Sequence, residues 1–159
     1  MLQIADAHGI TSLFRVPYQI VGQTPAIKLV VENIYSHIAR NTEKPLVLAF
    51  AGLSGHGKTE LATRAKELLL LPFVEIDCAQ QSTVWDMLGT SGSYRNSEKG
   101  TALNNHLSDN SDEQCVVFLD EFDKTDHDVR LALLKVMDTG ESSTPPKLKI
   151  SCSGIACCH

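Results

Sequence analysis

One stretch, Gly52-Leu53-Ser54-Gly55-His56-Gly57-Lys58-Thr59, restricts this chain more than any other. It carries the spacing G-x-x-x-x-G-K-[ST]. It follows the apolar run Pro45-Leu46-Val47-Leu48-Ala49-Phe50-Ala51 and leads into Glu60-Leu61-Ala62-Thr63-Arg64-Ala65-Lys66-Glu67-Leu68. Strand, glycine loop and helix in that order are the setting in which such a string binds phosphate. Glycines let the backbone curl with its N–H groups turned inward, so several donors converge on one anion. The helix opening near Lys58 adds its positive dipole end and its free first-turn N–H groups. The expected nucleotide contacts are Gly52, Leu53, Ser54, Gly55, His56, Gly57, Lys58, Thr59 and Glu60, with His56 read as a spacer. Lys58 should reach β- and γ-phosphate oxygens, and the Thr59 hydroxyl should ligate a bridging Mg²⁺. A nucleotide with β- and γ-phosphates and Mg²⁺ are the expected ligands.

A second motif sits downstream. Cys115-Val116-Val117-Phe118-Leu119 is a continuous apolar run of strand length, the pattern of a strand buried on both faces of a parallel sheet. It ends in Asp120-Glu121. In open α/β sheets ligands bind outside the carboxyl ends of the strands, where the glycine loop and this acidic pair both fall. Four apolar residues followed by Asp-Glu form the Walker B signature of nucleotide hydrolases. Asp120 is expected to hold Mg²⁺ through water opposite Thr59, and Glu121 to polarise the attacking water as general base. Taken alone, the pair reads equally well as the start of a solvated loop. The upstream glycine loop favours the catalytic reading, since each motif predicts the other.

The remaining chain supplies a frame. Thr24-Pro25 opens a helix expected to end near Arg40, with Ile27, Val30, Val31, Ile34 and Ile38 on its buried face. The helix after the glycine loop should stop at Pro72, and Phe73 to Cys78 reads as a strand. Short helices are expected over Ser82–Leu88 and Thr101–Leu107. A longer one, Asp128–Met137, should bury Val129, Leu131, Leu133, Leu134 and Val136. Lys147–Cys152 reads as a fourth, short strand, and Trp85 is expected in the core or at a subunit face. Alternating strands and helices imply an α/β three-layer fold with a mostly parallel sheet.

Bulk properties exclude some partners. At 159 residues, 43% hydrophobic and 21% charged, the chain is one globular domain's worth. Its net charge of −5 and lack of a basic run argue against nucleic acid. The longest apolar stretch, Leu68 to Val74, is too short to span a bilayer and contains Pro72, so no membrane is expected. Met1-Leu2-Gln3-Ile4-Ala5-Asp6 shows no secretory leader. Five cysteines, an odd number at poor spacing, argue against a disulfide scaffold. They favour a reducing compartment and an intracellular, cytoplasmic location. Cys78 and Cys115 fall in apolar patterns as small core residues. Cys157-Cys158-His159 lacks the spaced pairs of a zinc site.

Gly52 to Glu60 with Leu61-Ala62 resembles the GxxGxGKTELA loop of AAA+ ATPases of the Clp/Hsp100 type. Phe118-Leu119-Asp120-Glu121-Phe122-Asp123-Lys124, with Asp128-Val129 and Leu133 to Gly140, is similar to that family's FDEIEKAHPDVxxxLLQxxDDG segment. Val21-Gly22-Gln23 matches its VGQ box, and Ile76-Asp77-Cys78 stands where the family reads I-D-M. The resemblance covers Val16 to Gly140. It implies a P-loop NTPase αβα fold and Mg-dependent ATP hydrolysis, coupled in complete form to protein remodelling. It also implies a protein substrate and assembly as a homo-hexamer or with a longer AAA+ relative. By the same resemblance Ile20, Val21 and Gly22 line the adenine pocket, and Tyr94 stands at a substrate-gripping pore-loop position. Ser93-Tyr94-Arg95-Asn96 departs from the family's GYVG by losing both glycines and the apolar residue.

Three segments result: a lead at 1–19, a nucleotide-binding core at 20–140 and an atypical tail at 141–159. The family continues with a sensor strand, an arginine finger and a helical lid. None of Arg15, Arg40, Arg64, Arg95 or Arg130 matches the finger. The fold is therefore expected to be incomplete at its C-terminus and its turnover weak, a finger being worth about 10³ or more in rate. Two other classes stay open. One is a weakly active or inactive module that binds nucleotide or a longer ATPase. The other is a P-loop small-molecule kinase, disfavoured because Asp120-Glu121 suits activation of water.

Overall fold

The computed structural model describes residues 22, 24–40, 44–53, 55–69, 71–89, 100–111, 113–139 and 154–158. Along the chain these form α1 (Thr24–Arg40), β1 (Val47–Phe50), α2 (Lys58–Leu69), β2 (Phe73–Asp77) and α3 (Val84–Leu88). They continue through α4 (Ala102–Asp109), β3 (Val116–Asp120), α5 (His127–Thr139) and β4 (Gly154–Cys158), with single 3-10 turns at Cys78–Gln80 and Phe122–Lys124. The strands pair in parallel in the order β1-β4-β3-β2.

β3 shows why three layers form. Val116 and Phe118 pack to one side, with the buried stripe of α1 (Ile27, Val30, Val31, Ile34, Ile38) and with Leu61, Ala62 and Leu69 of α2. Val117 and Leu119 pack to the other, with Met87 and Leu88 of α3, Leu103 and Leu107 of α4, and Val129 and Leu133 of α5. Successive strand residues face opposite ways, so one apolar run serves two cores. The expected stripe of α1 is the observed one. Thr83 and Thr101 cap α3 and α4 by accepting the N–H groups of Asp86 and Asn104. These caps satisfy donors that a helix start leaves without partners. Cys78 and Cys115 are buried and form no disulfide, as their patterns suggest.

Some expectations change and others narrow. Gly154–Cys158, to which the sequence reading assigns no strand, is one, and it lies between β1 and β3. Part of the 141–159 segment read as a tail is thus sheet; Lys147–Cys152 lies outside the described residues. Leu131 and Leu134 of α5 are exposed, because Val129, Leu133, Val136 and Met137 occupy the inward stripe. Trp85 is 56% exposed, which removes the core alternative and leaves the subunit-face one. β2 ends at Asp77, whose carboxylate accepts the N–H of Ala79 and starts the 3-10 turn that takes Cys78. Among the described residues no helix is long and apolar enough to cross a membrane.

Candidate functional site

β1 ends at Phe50, and the chain turns through the glycine loop into α2. Gly55 and Gly57 have φ of 78° and 81°, a region that glycine enters without a Cβ clash. A Cβ added at Gly52, Gly55 or Gly57 would meet nothing within 4 Å. The loop therefore borders open space at these positions, and room remains for an anion. Lys58 Nζ donates to the carbonyls of Gly52 at 2.8 Å and Leu53 at 2.9 Å, folding back across the loop. The Leu61 N–H donates to the Gly57 carbonyl at 2.9 Å and closes the first turn of α2. Glu60 pairs with Arg64 at 2.8 Å one turn on, which tempers its repulsion of an anion at the helix start.

β3 delivers the acidic pair to the same end of the sheet. Asp120 Oδ1 accepts the N–H of Glu121 at 3.0 Å. Glu121 lies at φ 52°, ψ 37° and is the one non-glycine with positive φ among the described residues. Such a conformation costs about 1–3 kcal/mol and persists only where surrounding structure enforces it. Here the enforcement is visible. The Lys124 N–H donates to the Glu121 carbonyl at 3.0 Å, and the Thr125 N–H to the Phe122 carbonyl at 3.2 Å. Arg130 Nη2 donates to the Thr125 carbonyl at 2.8 Å and to that of Asp123 at 3.5 Å. Lys124 Nζ meets Glu121 Oε1 at 2.6 Å.

That bond holds the Lys124 ammonium above the usual lysine range, with the charges of Glu121, Asp123 and Asp77 adding to it. Asp77 joins because β2 pairs with β3 in a register that sets it beside Asp120. Behind the turn, burial pushes the Cys78 thiol up to about 11. The Thr125 hydroxyl opposes this shift, and the Asp77 and Asp120 charges add to it.

Between loop and turn lies a cleft of about 550 Å³. Gly52, Gly55, Gly57, Lys58, Thr59 and Glu60 line one side, and Asp120, Glu121, Asp123 and Lys124 the other. A second, more apolar hollow of about 400 Å³ flanks the loop, with Leu29, Val30, Phe50, Leu53, His56 and Leu61 among its walls. The structure thus brings Gly52, Gly55, Gly57, Lys58, Thr59 and Glu60 of the first motif and Asp120 and Glu121 of the second to one cleft, while Leu53 lines the apolar hollow. His56, read as a spacer, instead lines the apolar hollow. Gly22 is exposed at φ 95° just before α1; Ile20, Val21, Ser54 and Tyr94 lie outside the described residues. Sequence reasoning assigned no role to Lys124, Asp77 or Arg130. The spacing of Lys124 three residues past Glu121 was a usable signal for a pair on a tight turn. Asp77 and Arg130 had none, since strand register and helix docking bring them in.

A family model, the AAA domain (Cdc48 subfamily), matches residues 43–156. The chaperone protein ClpB of Chlamydia muridarum is 32% identical over 145 residues, covering 84% of this chain and 16% of that protein. The human mitochondrial disaggregase is 31% identical over 150 residues, covering 87% of this chain and 20% of its own length. The chain thus spans only about a fifth or less of these relatives. Among solved structures, the S. cerevisiae Hsp104-ADP complex superposes with a TM-score of 0.75 at 28% identity, over 92% of this chain and 22% of that one. The S. cerevisiae Hsp104:casein complex in its extended conformation gives a TM-score of 0.78 at 26% identity, over 98% of this chain and 31% of that one. With motif order, parallel sheet and family match in agreement, the chain belongs to the AAA family as an AAA+ domain of the Clp/Hsp100 type, related to the chaperone disaggregases.

Proposed function

We propose that this domain binds ATP with Mg²⁺ and hydrolyses it, and that in a longer assembly the cycle works on a polypeptide. The observation that carries this reading is the single cleft onto which the glycine loop, the start of α2 and the Asp120-Glu121 end of β3 all open. The loop N–H groups and the α2 dipole bind phosphate oxygens. Lys58 exchanges its two carbonyl partners for β- and γ-phosphate oxygens. The apolar hollow beside Leu53 and His56 shelters the base.

Thr59 and Asp120 offer hard oxygen donors on facing sides of the cleft, which suits Mg²⁺. Among the described residues no group of three or more His, Cys, Asp or Glu side chains could hold a metal by itself. The cation would therefore lean on water and phosphate oxygens, as Mg²⁺ does in such sites. Bound there, it neutralises phosphate charge.

Glu121 takes a proton from the attacking water as the water oxygen bonds to the γ-phosphorus. The bond from that phosphorus to the bridging oxygen breaks, and ADP leaves with the electron pair. Likeness to the Hsp104:casein complex supports a protein substrate; assembly as a homo-oligomer or with a longer relative is part of the same proposal and rests on membership of the Clp/Hsp100 type. The reading is tested by ADP release from the purified chain against Glu121→Gln. Release that the substitution suppresses is the expected result. Equal background release from both would overturn hydrolysis.

A further inference from the structure

We infer that Lys124 is a positioning residue for Glu121, fixing one carboxylate oxygen so that the other is presented for proton transfer, with Arg130 anchoring the turn that carries both. The inference deepens the hydrolysis reading and rests on it. A glutamate general base has a long, rotatable side chain, and Glu121 stands on exposed ground: its side chain is 44% accessible, and that of Lys124 is 56%. Left to itself such a carboxylate samples many rotamers. The 2.6 Å bond from Lys124 Nζ to Oε1 removes that freedom and leaves Oε2 to receive a proton.

Three further observations make the pair a built feature. The left-handed backbone at Glu121 sets the turn geometry. The turn's backbone bonds, Lys124 N–H to the Glu121 carbonyl and Thr125 N–H to that of Phe122, then bring residues 121 and 124 together. Arg130 reaches from α5 to the carbonyls of Asp123 and Thr125, on either side of Lys124, and so ties the turn to a core helix. The acidic groups around Lys124, on β2 and the turn itself, are Asp77, Glu121 and Asp123. Lys124 is thus held at the acidic end of the cleft by charge as well as by geometry.

An exposed ion pair of this kind adds little to stability, which separates positioning from folding. The test is steady-state ATP hydrolysis by the wild-type chain, Lys124→Met, Lys124→Gln, Lys124→Arg and Glu121→Gln, with a thermal melt of each. The expected result is a kcat about tenfold or more lower in Lys124→Met and Lys124→Gln, since small displacements of a reacting group are costly. KM for ATP and melting temperature should hardly move, and Lys124→Arg should recover most of the rate. Wild-type rates in both neutral variants, from an active wild-type chain, overturn the inference alone. A KM rise with kcat intact also overturns it, by making Lys124 a ground-state contact. A wild-type chain no faster than Glu121→Gln overturns the hydrolysis reading and the inference together.

Discussion

The two walls of the cleft each carry a lysine, and the lysines are held in opposite ways. Lys58 bonds to two neutral backbone carbonyls of its own loop, while Lys124 bonds to a carboxylate. The first arrangement is readily exchanged, because a phosphate offers the ammonium a stronger, charge-assisted partner. The second already has its charge partner, so an arriving anion gives it little reason to move. Backbone geometry follows the same division. The loop is built from glycines whose missing side chains leave space. The turn is knit by backbone bonds and by Arg130. One wall yields to a ligand, and the other holds a group still.

The largest test of this contrast is Lys58→Ala. Stabilisation by MgATP at a hundredfold excess over Kd should amount to about 2.7 kcal/mol, and the substitution should abolish it while leaving the ligand-free melt nearly unchanged. A ligand-free melt that drops sharply would mean that Lys58 holds the loop together, and the contrast would break. Gly57→Ala comes next. At φ 81° an alanine is strained by roughly 1–2 kcal/mol, and the added methyl points into open space, so the loss should appear in the ligand-free melt. An unchanged melt would show that the loop relaxes out of this conformation without ligand.

Arg130→Met probes the knit wall. Losing its bonds to Thr125 and Asp123 should cost about 1 kcal/mol of ligand-free stability, read as a lower urea midpoint. No change would leave the turn as yielding as the loop. The smallest effect concerns Cys78, behind the turn. Its thiol is raised from 9.0 to about 11 in the folded chain, so the folded state keeps a proton that the unfolded state gives up. That contribution is complete below about pH 9 and is lost as pH rises through about 11. Stability of the wild-type chain should therefore fall more steeply across this alkaline window than that of Cys78→Ala, by urea melts at several pH values. Parallel slopes would show that the thiol meets solvent.

Much of this molecule is legible in its residues, for local reasons. The stripe of α1 follows from helical spacing, and the double burial of β3 from an unbroken apolar run. The glycine loop declares itself because only glycine tolerates its backbone. Where reading from sequence failed, the deciding contacts were distant in the chain. Leu131 and Leu134 are as apolar as Leu133, yet one stripe alone can face the sheet, and packing chose the one through Val129 and Val136. Gly154-Ile155-Ala156-Cys157-Cys158 is a short apolar run that periodicity alone does not assign; ladders to β1 on one side and β3 on the other make it a strand.

The chemistry divides along the same line. The identities and order of Lys58, Thr59, Asp120 and Glu121 are written locally, because the spacing of a phosphate loop and an acidic strand end is a short-range property. Tertiary structure alone gives Glu121 its left-handed backbone, Arg130 as anchor of its turn, and Asp77 as an acidic neighbour through strand register. Backbone strain and cross-strand neighbours exist only once helices and strands have packed, so no local spacing announces them.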